Sequence, residues 1–273
     1  IPLEAAAINA ALDALERFRV RATFFVLGEV AAAHPGLVRR IADAGHEIGF
    51  HGDRHEFLQR RTPASVARGL AMWRFRLQDM TGQAVRGFRA PFFSVTPASA
   101  WVLGMLEAAG FTYDASIYPG RNDRYGWPGA PHVPSRLAGR DLVVFPVPLL
   151  HKRLPVGFSG GAYLRMLPWP LIRWGLAHAG RHGRPGMIYA HPWEVRDPSL
   201  PREDTRGASL RVQLTRQPGR RRMRPRLERL LHEHGSEMGT MDAVLRGKNG
   251  PGRPGSLGEW DPTRTGPAVW CAA

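Results

Sequence analysis

The 273-residue sequence has a single cysteine, Cys271, the third residue from its end. That count excludes a disulfide framework and a cysteine-based zinc site. No apolar run approaches the roughly 18 residues that a membrane span requires, so no transmembrane helix is expected. Lysine is almost missing: of 38 basic residues, two are lysines, Lys152 and Lys248, and the rest are arginines. What is present is ordinary for a globular chain, 43% hydrophobic and 22% charged residues, which excludes a wholly disordered or collagen-like chain. The length suggests one large domain or two small ones.

The net charge of +15 invites a nucleic-acid reading. The arginine skew argues against it, because a GC-rich coding sequence produces the same bias without any phosphate contact. The arginines are also scattered, apart from one knot formed by Arg216, Arg220, Arg221, Arg222, Arg224, Arg226 and Arg229. No nucleic acid is expected as a partner, although an anionic glycan or lipid headgroup would satisfy the same knot.

Both ends are unusual. Residue 1 is Ile rather than Met, and Ile1-Pro2-Leu3 leads directly into a helical pattern, with Ile8, Leu12 and Leu15 on one face. A processed protein or a fragment is expected, and a signal peptide, if there is one, would lie upstream, so the compartment stays open between cytoplasm and cell envelope. At the other end, residues 247–273 hold six Gly and four Pro in 27 residues. This composition predicts a disordered tail, leaving 1–246 as the folded domain.

Between the ends, strands and helices alternate. Ala22–Leu27 and His46–His51 read as buried strands, separated by a helix from about Pro35 that Gly45 stops. Pro63 opens a longer helix ending near Gly82, and Val85–Arg89 is strand-like. A helix from about Pro97 to Ala109 precedes a strand at Phe111–Asp114. Val143–Phe145 and Met187–Tyr189 are later strands around a helix near 168–180, and a final helix spans about Pro225–His234. Alternation of this kind implies parallel strands joined by helices, an α/β sheet or barrel. In such barrels the chemistry sits at the C-terminal ends of strands.

Several polar residues occupy those ends. His51 and His55, four residues apart in His-Gly-Asp-Arg-His, can reach one zinc ion. With 11 histidines in the chain, about half a pair at this spacing is expected by chance, and a second pair, His178 and His182, reads as solvated helix surface. The strand context of His51 and His55 separates the two cases without deciding between ligand and coincidence. Arg89, in Gly87-Phe88-Arg89-Ala90-Pro91-Phe92-Phe93, is either a carboxylate clamp or one more surface arginine. His191, in Tyr189-Ala190-His191-Pro192-Trp193, is either an acid–base residue or a structural histidine. Trp193 offers an aromatic face to a sugar ring or to the core.

Thr23–Val26, Gly45–Ile48, His51–His55, Arg89–Phe92 and Tyr189–Pro192, taken in that order over about residues 3–246, resemble the NodB-homology polysaccharide deacetylases, carbohydrate esterase family 4. Tyr113–Pro119, Asp123–Gly126 and Gly160–Arg165 resemble the branch found in exopolysaccharide clusters of exosortase-bearing bacteria. The resemblance implies a distorted, TIM-like (β/α) barrel. It implies hydrolysis of N-acetyl groups on a polysaccharide with a divalent metal, zinc first and cobalt second. His51 and His55 match its metal ligands, Arg89 the arginine that orients the catalytic base, Phe92 the backbone N–H donor to the oxyanion, and His191 the general acid. Tyr125 and Trp193 would line the substrate.

Two departures matter. The family carries an aspartate pair, catalytic base and third metal ligand, on a strand preceding the helix that here begins at Ile1. The barrel is therefore expected to lack its first strand and the chain to be inert alone; Asp13 and Asp53 are not replacements. Gly52 also stands where most of the family has Ser or Thr. The alternatives are a non-catalytic glycan-binding relic of the fold and a basic nucleic-acid or anionic-surface binder built around Arg216–Arg229.

Overall fold

The computed structural model describes residues 2–121, 125–151, 154–181, 186–195, 218–247 and 257–263. Ile1, Asp123, Lys152, His182, Arg216, Lys248 and Cys271, named above, lie outside the described residues.

Proline and glycine punctuate the helices where the sequence places them. Helix α1 is Pro2–Arg17 and α3 is Pro35–Asp43, followed by Gly45 at φ +80°. Helix α4, Pro63–Thr81, starts with proline at its first position and with the Thr62 side chain accepting from the Ser65 N–H at 3.3 Å. It stops at Gly82, whose left-handed φ of +66° an L side chain adopts only with strain. An added Cβ there would meet nothing within 4 Å, so the backbone alone sets the penalty. Gly82→Ala is expected to destabilise the fold by about 1 kcal/mol, read as a lower urea midpoint with unchanged slope. Gly82→Asn should lose less.

Strand β1, Thr23–Val26, pairs in parallel with β2, Glu47–Phe50, and β2 with β3, Gly87–Phe88. Strand β3 pairs with β4, Tyr113–Asp114, and β4 with β6, Val143–Val144, both in parallel. Strand β5, Ser135–Leu137, joins β6 antiparallel and carries β9, Gly258–Trp260, on its outer side. The described sheet therefore runs β1-β2-β3-β4-β6-β5-β9, with β1 and β9 as its two edges. Helices α3, α4 and α5 (Trp101–Ala108) cover it through a core that includes Val38, Ile41, Leu70, Leu77, Leu103 and Leu106. Among the described residues no helix is long and apolar enough to cross a membrane.

Four sequence expectations are corrected. A six-residue helix α2, Gly28–Ala33, follows β1 directly. The 97–109 segment begins as a 3₁₀ turn, Pro97–Ser99, closed by reciprocal Thr96 and Ser99 bonds, before α5 takes over. Residues 187–189 form no regular strand; Tyr189 makes a single parallel bridge to Gly160. The last long helix, α9 (Arg220–His234), starts five residues before Pro225 and runs through it. Proline there removes one intrahelical bond, but Met223 is fully buried with Leu164, Ile172 and Leu230, and that packing holds the extra turn.

The expected disordered tail also contains order. Strand β9 places Trp260 against Trp127, ring centroids 4.9 Å apart at 74°, and buries it. A nonlocal pairing supplies what the local composition does not. The rest of the described fold comprises the hairpin β7 (Leu149–His151) and β8 (Leu154–Gly157), helices α6 (Gly161–Met166), α7 (Trp169–Arg181), α8 (Pro192–Val195) and α10 (Met241–Leu245).

Candidate active site

The ladder of the sheet ends on the residues of interest. His51 N–H bonds to Val26 O at 2.9 Å, Arg89 N–H to Phe50 O at 3.0 Å, and Ala115 N–H to Phe88 O at 2.8 Å. His51, Arg89 and Ala115 thus sit side by side at the C-terminal edge, where the chain leaves each strand.

The His51 ring donates from Nδ1 to the Arg89 carbonyl at 2.5 Å. That bond assigns the tautomer and makes Nε2 the atom with a lone pair to offer. Burial, followed by the charges of His55, Arg89 and His191, pushes the His51 pKa down to about 3, so the ring is neutral at ordinary pH, as a metal ligand must be. The exposed His55 ring stands 5.4 Å from that of His51 and edge-on to Phe92 at 4.3 Å. The loop between them is pinned by the start of α2: Gly28 and Glu29 N–H groups bond to Gly52 and Asp53 carbonyls, both at 2.9 Å. The Asp53 carboxylate is engaged elsewhere, paired with Arg61 at 2.8 Å and packed against Gly69 of α4.

Arg89 is enclosed by aromatic and sulfur atoms. Its Nε–H donates to Ala115 O at 3.1 Å, its Nη2 lies 2.5 Å from Met187 Sδ, and the guanidinium stands 4.3 Å from the Phe25 ring centroid. Phe93 and Tyr189 add ring faces at 5.7 and 6.0 Å. This desolvation lowers the Arg89 pKa to about 10. Among the described residues no carboxylate lies within salt-bridge distance of it. Its acidic neighbour is Asp114, fully buried, whose pKa burial raises to about 7. Asp114 accepts the Ser116 hydroxyl and, at 3.2 Å, the Ser116 N–H, while Ser116 Oγ accepts the Ala90 N–H at 2.7 Å. Asp114 therefore acts as a clamp on the turn that carries Arg89.

That turn is strained. Phe92 and Phe93 have φ of +59° and +52°, rare for bulky side chains and concentrated at functional sites. The turn is closed by the Phe93 and Ser94 N–H groups, both at 3.2 Å, and not by that of Phe92. The Phe92 ring stacks on Phe57 at 4.2 Å and 7°. Phe57 was missed in the sequence, although an aromatic two residues after His55 was there to be read.

His191 is half-exposed, its side chain at 46%. Glu194 Oε2 receives both its backbone N–H at 2.9 Å and its Nδ1 at 2.8 Å. The Trp193 ring stacks on it at 5.7 Å and 21°. Tyr125 packs on Phe93 at 6.1 Å, and Phe93 on Tyr189 at 5.2 Å, which continues the aromatic wall to within 6.4 Å of His191. The structure thus brings His51, His55, Arg89, Phe92, Tyr125, His191 and Trp193 into one contiguous group. It does not complete a metal site: among the described residues no cluster of three or more His, Cys, Asp or Glu is placed to hold an ion. The two imidazoles fit as ligands, with His51 oriented by its bond to the Arg89 carbonyl, but they are two of the three protein ligands a catalytic zinc takes.

Of the second histidine pair only His178 is described: it is half-buried on the surface of α7, stacked on the exposed Trp174 at 5.1 Å and 5.6 Å from His151. The described part of the arginine knot is largely engaged within the fold. Arg224 and Arg229 pair with Glu228 and Glu233 at 2.9 and 2.7 Å, Arg229 also covers Trp169 at 4.6 Å, and Arg226 bonds to the Leu164 and Leu167 carbonyls.

Residues 3–113 match the family described as polysaccharide deacetylase, and residues 115–246 match a domain of unknown function, DUF3473. The two matches meet inside β4. The chain is 34% identical over 94 residues to the peptidoglycan-N-acetylglucosamine deacetylase PgdA of Listeria monocytogenes, covering 34% of this chain and 20% of that protein. It is 33% identical over 120 residues to the putative polysaccharide deacetylase YheN of Bacillus subtilis, covering 42% and 43%. A chitooligosaccharide deacetylase of Bradyrhizobium is 39% identical over 82 residues, 30% of this chain and 37% of that one. The matches span less than half the length of each of these relatives, whose names describe hydrolases of carbon–nitrogen bonds. Among solved structures, a putative polysaccharide deacetylase from Mycobacterium smegmatis superposes with a TM-score of 0.62 at 22% identity over 90% of this chain and 78% of that one. Puue allantoinase does so at 0.52 and 21% over 86% and 68%. Both likenesses speak to the fold.

Proposed function

The chain carries a polysaccharide deacetylase domain of the NodB type, and from that premise we propose that it belongs to an enzyme that removes N-acetyl groups from a bacterial exopolysaccharide with the help of a divalent metal. The observation that carries this reading is the convergence of His51, His55, Arg89 and His191 at one sheet edge, beneath a wall of aromatic rings. The family is divalent-metal dependent, and His51 Nε2 together with His55 would hold the ion. When bound, such an ion polarises the acetyl carbonyl and lowers the pKa of water.

The chain's own residues account for the remaining steps. Tyr125, the Phe57–Phe92 stack and the edge of Trp193 are the aromatic surface against which sugar rings would rest. The Phe92 N–H, outside the bonds that close its turn, is the donor assigned to the developing oxyanion. His191 delivers a proton to the departing amine nitrogen as the C–N bond breaks and acetate is released. The base is the missing part. Asp53 is held by Arg61 and Asp114 is a buried clamp, so the carboxylate that Arg89 would orient comes from outside the described residues.

Two measurements test this. Calorimetric titration of the 273-residue chain with Zn²⁺ should show weak binding that His51→Ala abolishes and that His178→Ala leaves intact; equal affinity in His51→Ala/His55→Ala would refute the ligand assignment. Acetate release from N-acetylglucosamine oligomers with Zn²⁺ or Co²⁺ should be undetectable for the chain alone. It should appear when a segment supplying a strand beside β1 and ending in Asp-Asp is added ahead of Ile1. Robust release from the chain alone would return the role of base to Asp114 or Asp53. Failure of both forms to release acetate, with retention on the glycan, would favour the non-catalytic glycan-binding reading, which the incomplete ligand set supports.

A further inference from the structure

We propose that Glu194 and Arg165 are a buried positioning pair for His191. In this arrangement Glu194 fixes the imidazole as the Nδ1–H tautomer and so makes Nε2 the atom through which it hands over a proton. The inference rests on the reading of His191 as the general acid.

The geometry divides the Glu194 carboxylate between two tasks. Oε1 lies 2.7 Å from Arg165 Nε, while Oε2 receives both the backbone N–H and the ring Nδ1 of His191. The Glu194 side chain is 0% exposed and that of Arg165 3%, against 46% for His191. An ion pair so deeply buried is costly to form, and removing one partner leaves the other uncompensated. Two further contacts fix the pair: Arg165 Nη1 donates to the Pro218 carbonyl at 2.8 Å, and its guanidinium lies 5.3 Å from the Trp193 ring centroid. The opposing role of Trp193 is to stack on the His191 ring. The imidazole is thereby held at one edge by Glu194 and across one face by Trp193. Burial alone would raise the Glu194 pKa, but the hydrogen bonds and charge of His191, with the charge of Arg165, outweigh it and hold the carboxyl below its usual range.

A plainer explanation is a helix cap. His191 precedes α8, and a glutamate at the third helical position commonly reaches back to the N–H of the cap residue. Capping explains one of the two hydrogen bonds that Glu194 accepts and leaves its ion pair aside. It explains neither the ring contact from the same oxygen nor the buried arginine on the other. A carboxylate that fixes the tautomer of a histidine and stabilises its protonated form is a general device of acid–base catalysis. During transfer, the Nε2 proton passes to the amine nitrogen as that nitrogen takes the C–N bonding pair. The imidazolium becomes neutral imidazole and keeps its Nδ1–H on Glu194.

The tautomer can be read without any activity, which separates this proposal from the proposed reaction. Long-range ¹H–¹⁵N correlation spectra of the 273-residue chain, with ¹⁵N-labelled histidine and His191 assigned by its loss in His191→Ala, should show Nδ1–H when the ring is neutral. Glu194→Gln should shift the ring toward Nε2–H or a mixture, and Glu194→Asp should restore part of the wild-type signal. If Glu194→Gln fails to fold because Arg165 is left unpaired, Arg165→Met/Glu194→Gln removes both charges and takes its place. In the acetate-releasing form, Glu194→Gln should lower kcat on an N-acetylated oligosaccharide by about 100-fold with KM little changed. Hydrolysis of 4-nitrophenyl acetate, whose leaving group needs no proton, should stay within about threefold of wild type. An unchanged His191 tautomer in Glu194→Gln, or equal losses on both substrates, would overturn the proposal and leave Glu194 as a helix cap.

Discussion

In the acetate-releasing form of the enzyme, His191→Ala is expected to lower kcat by about 10²–10⁴ while KM and bound metal barely move. The expectation follows from how the ring is mounted. Its Nδ1 is occupied by Glu194, one face is covered by Trp193, and nearly half of the side chain reaches solvent. Truncation therefore removes a proton donor without collapsing a core. An amine is a poor leaving group until it is protonated, so the loss falls on the chemical step and appears in kcat. The metal would be held by His51 and His55, and the bond that orients the His51 ring runs to the Arg89 carbonyl and not to His191. Loss of metal together with activity would make His191 a ligand and its assignment as acid wrong.

The second large effect is on stability and depends on pH. Asp114 is fully buried, and its pKa rises from 3.8 to about 7 on folding. A carboxyl with a raised folded-state pKa binds its proton more tightly in the native state. Its contribution is complete below pH 3.8 and is lost as the pH rises through about 7. The shift corresponds to about 4 kcal/mol across that window. Asp114→Asn removes the ionisation but keeps the size of the side chain next to Ser116. The stability of the variant relative to wild type should therefore climb from pH 5 to pH 8, by up to a few kcal/mol. Urea midpoints of both proteins at several pH values measure it. A constant difference would mean that Asp114 is ionised throughout, held so by Ser116 and the charge of Arg89. Glu47 carries the same sign, its pKa raised by burial despite bonds from Thr23, Tyr113 and the Asp242 N–H, so Asp114→Asn flattens the wild-type profile without abolishing its slope.

Much of the scaffold was legible because its signals are local. Pro35, Pro63, Gly45 and Gly82 act through their own backbone preferences, and the structure ends or begins helices at or beside each of them. Helix α2 was not legible, since Gly-Glu-Val-Ala-Ala-Ala has no apolar stripe and is too short for a period to emerge. Strand β9 was invisible for the opposite reason. Its partners, Ser135–Leu137 and Trp127, lie far back in the chain, and Gly/Pro-rich flanks mask three residues of strand. At the site, His51 and Arg89 could be picked out by position as residues that end strands, while His191 was found through an expected strand that is only the single Tyr189 bridge. Glu194 could not, because a glutamate three residues after a histidine reads as an ordinary helix start. Its burial is decided by Arg165, on a different helix. The environment of Arg89 was likewise hidden, for no pattern in Gly87–Phe93 announces a sulfur atom from Met187.

Two recognisable sequence families share one strand here, and that bears on how such a protein can be inherited. A recombination breakpoint at β4 would look tidy in an alignment and be ruinous in the molecule. The leading part would retain His51, His55 and an Arg89 stripped of Met187 and Tyr189, while the trailing part would carry His191 with no neighbouring imidazoles. Neither product is a smaller version of the parent. Within this chain the span from β1 to α10 therefore behaves as one unit at the site, and a cut at β4 is expected to cost the surroundings of Arg89 and His191 together.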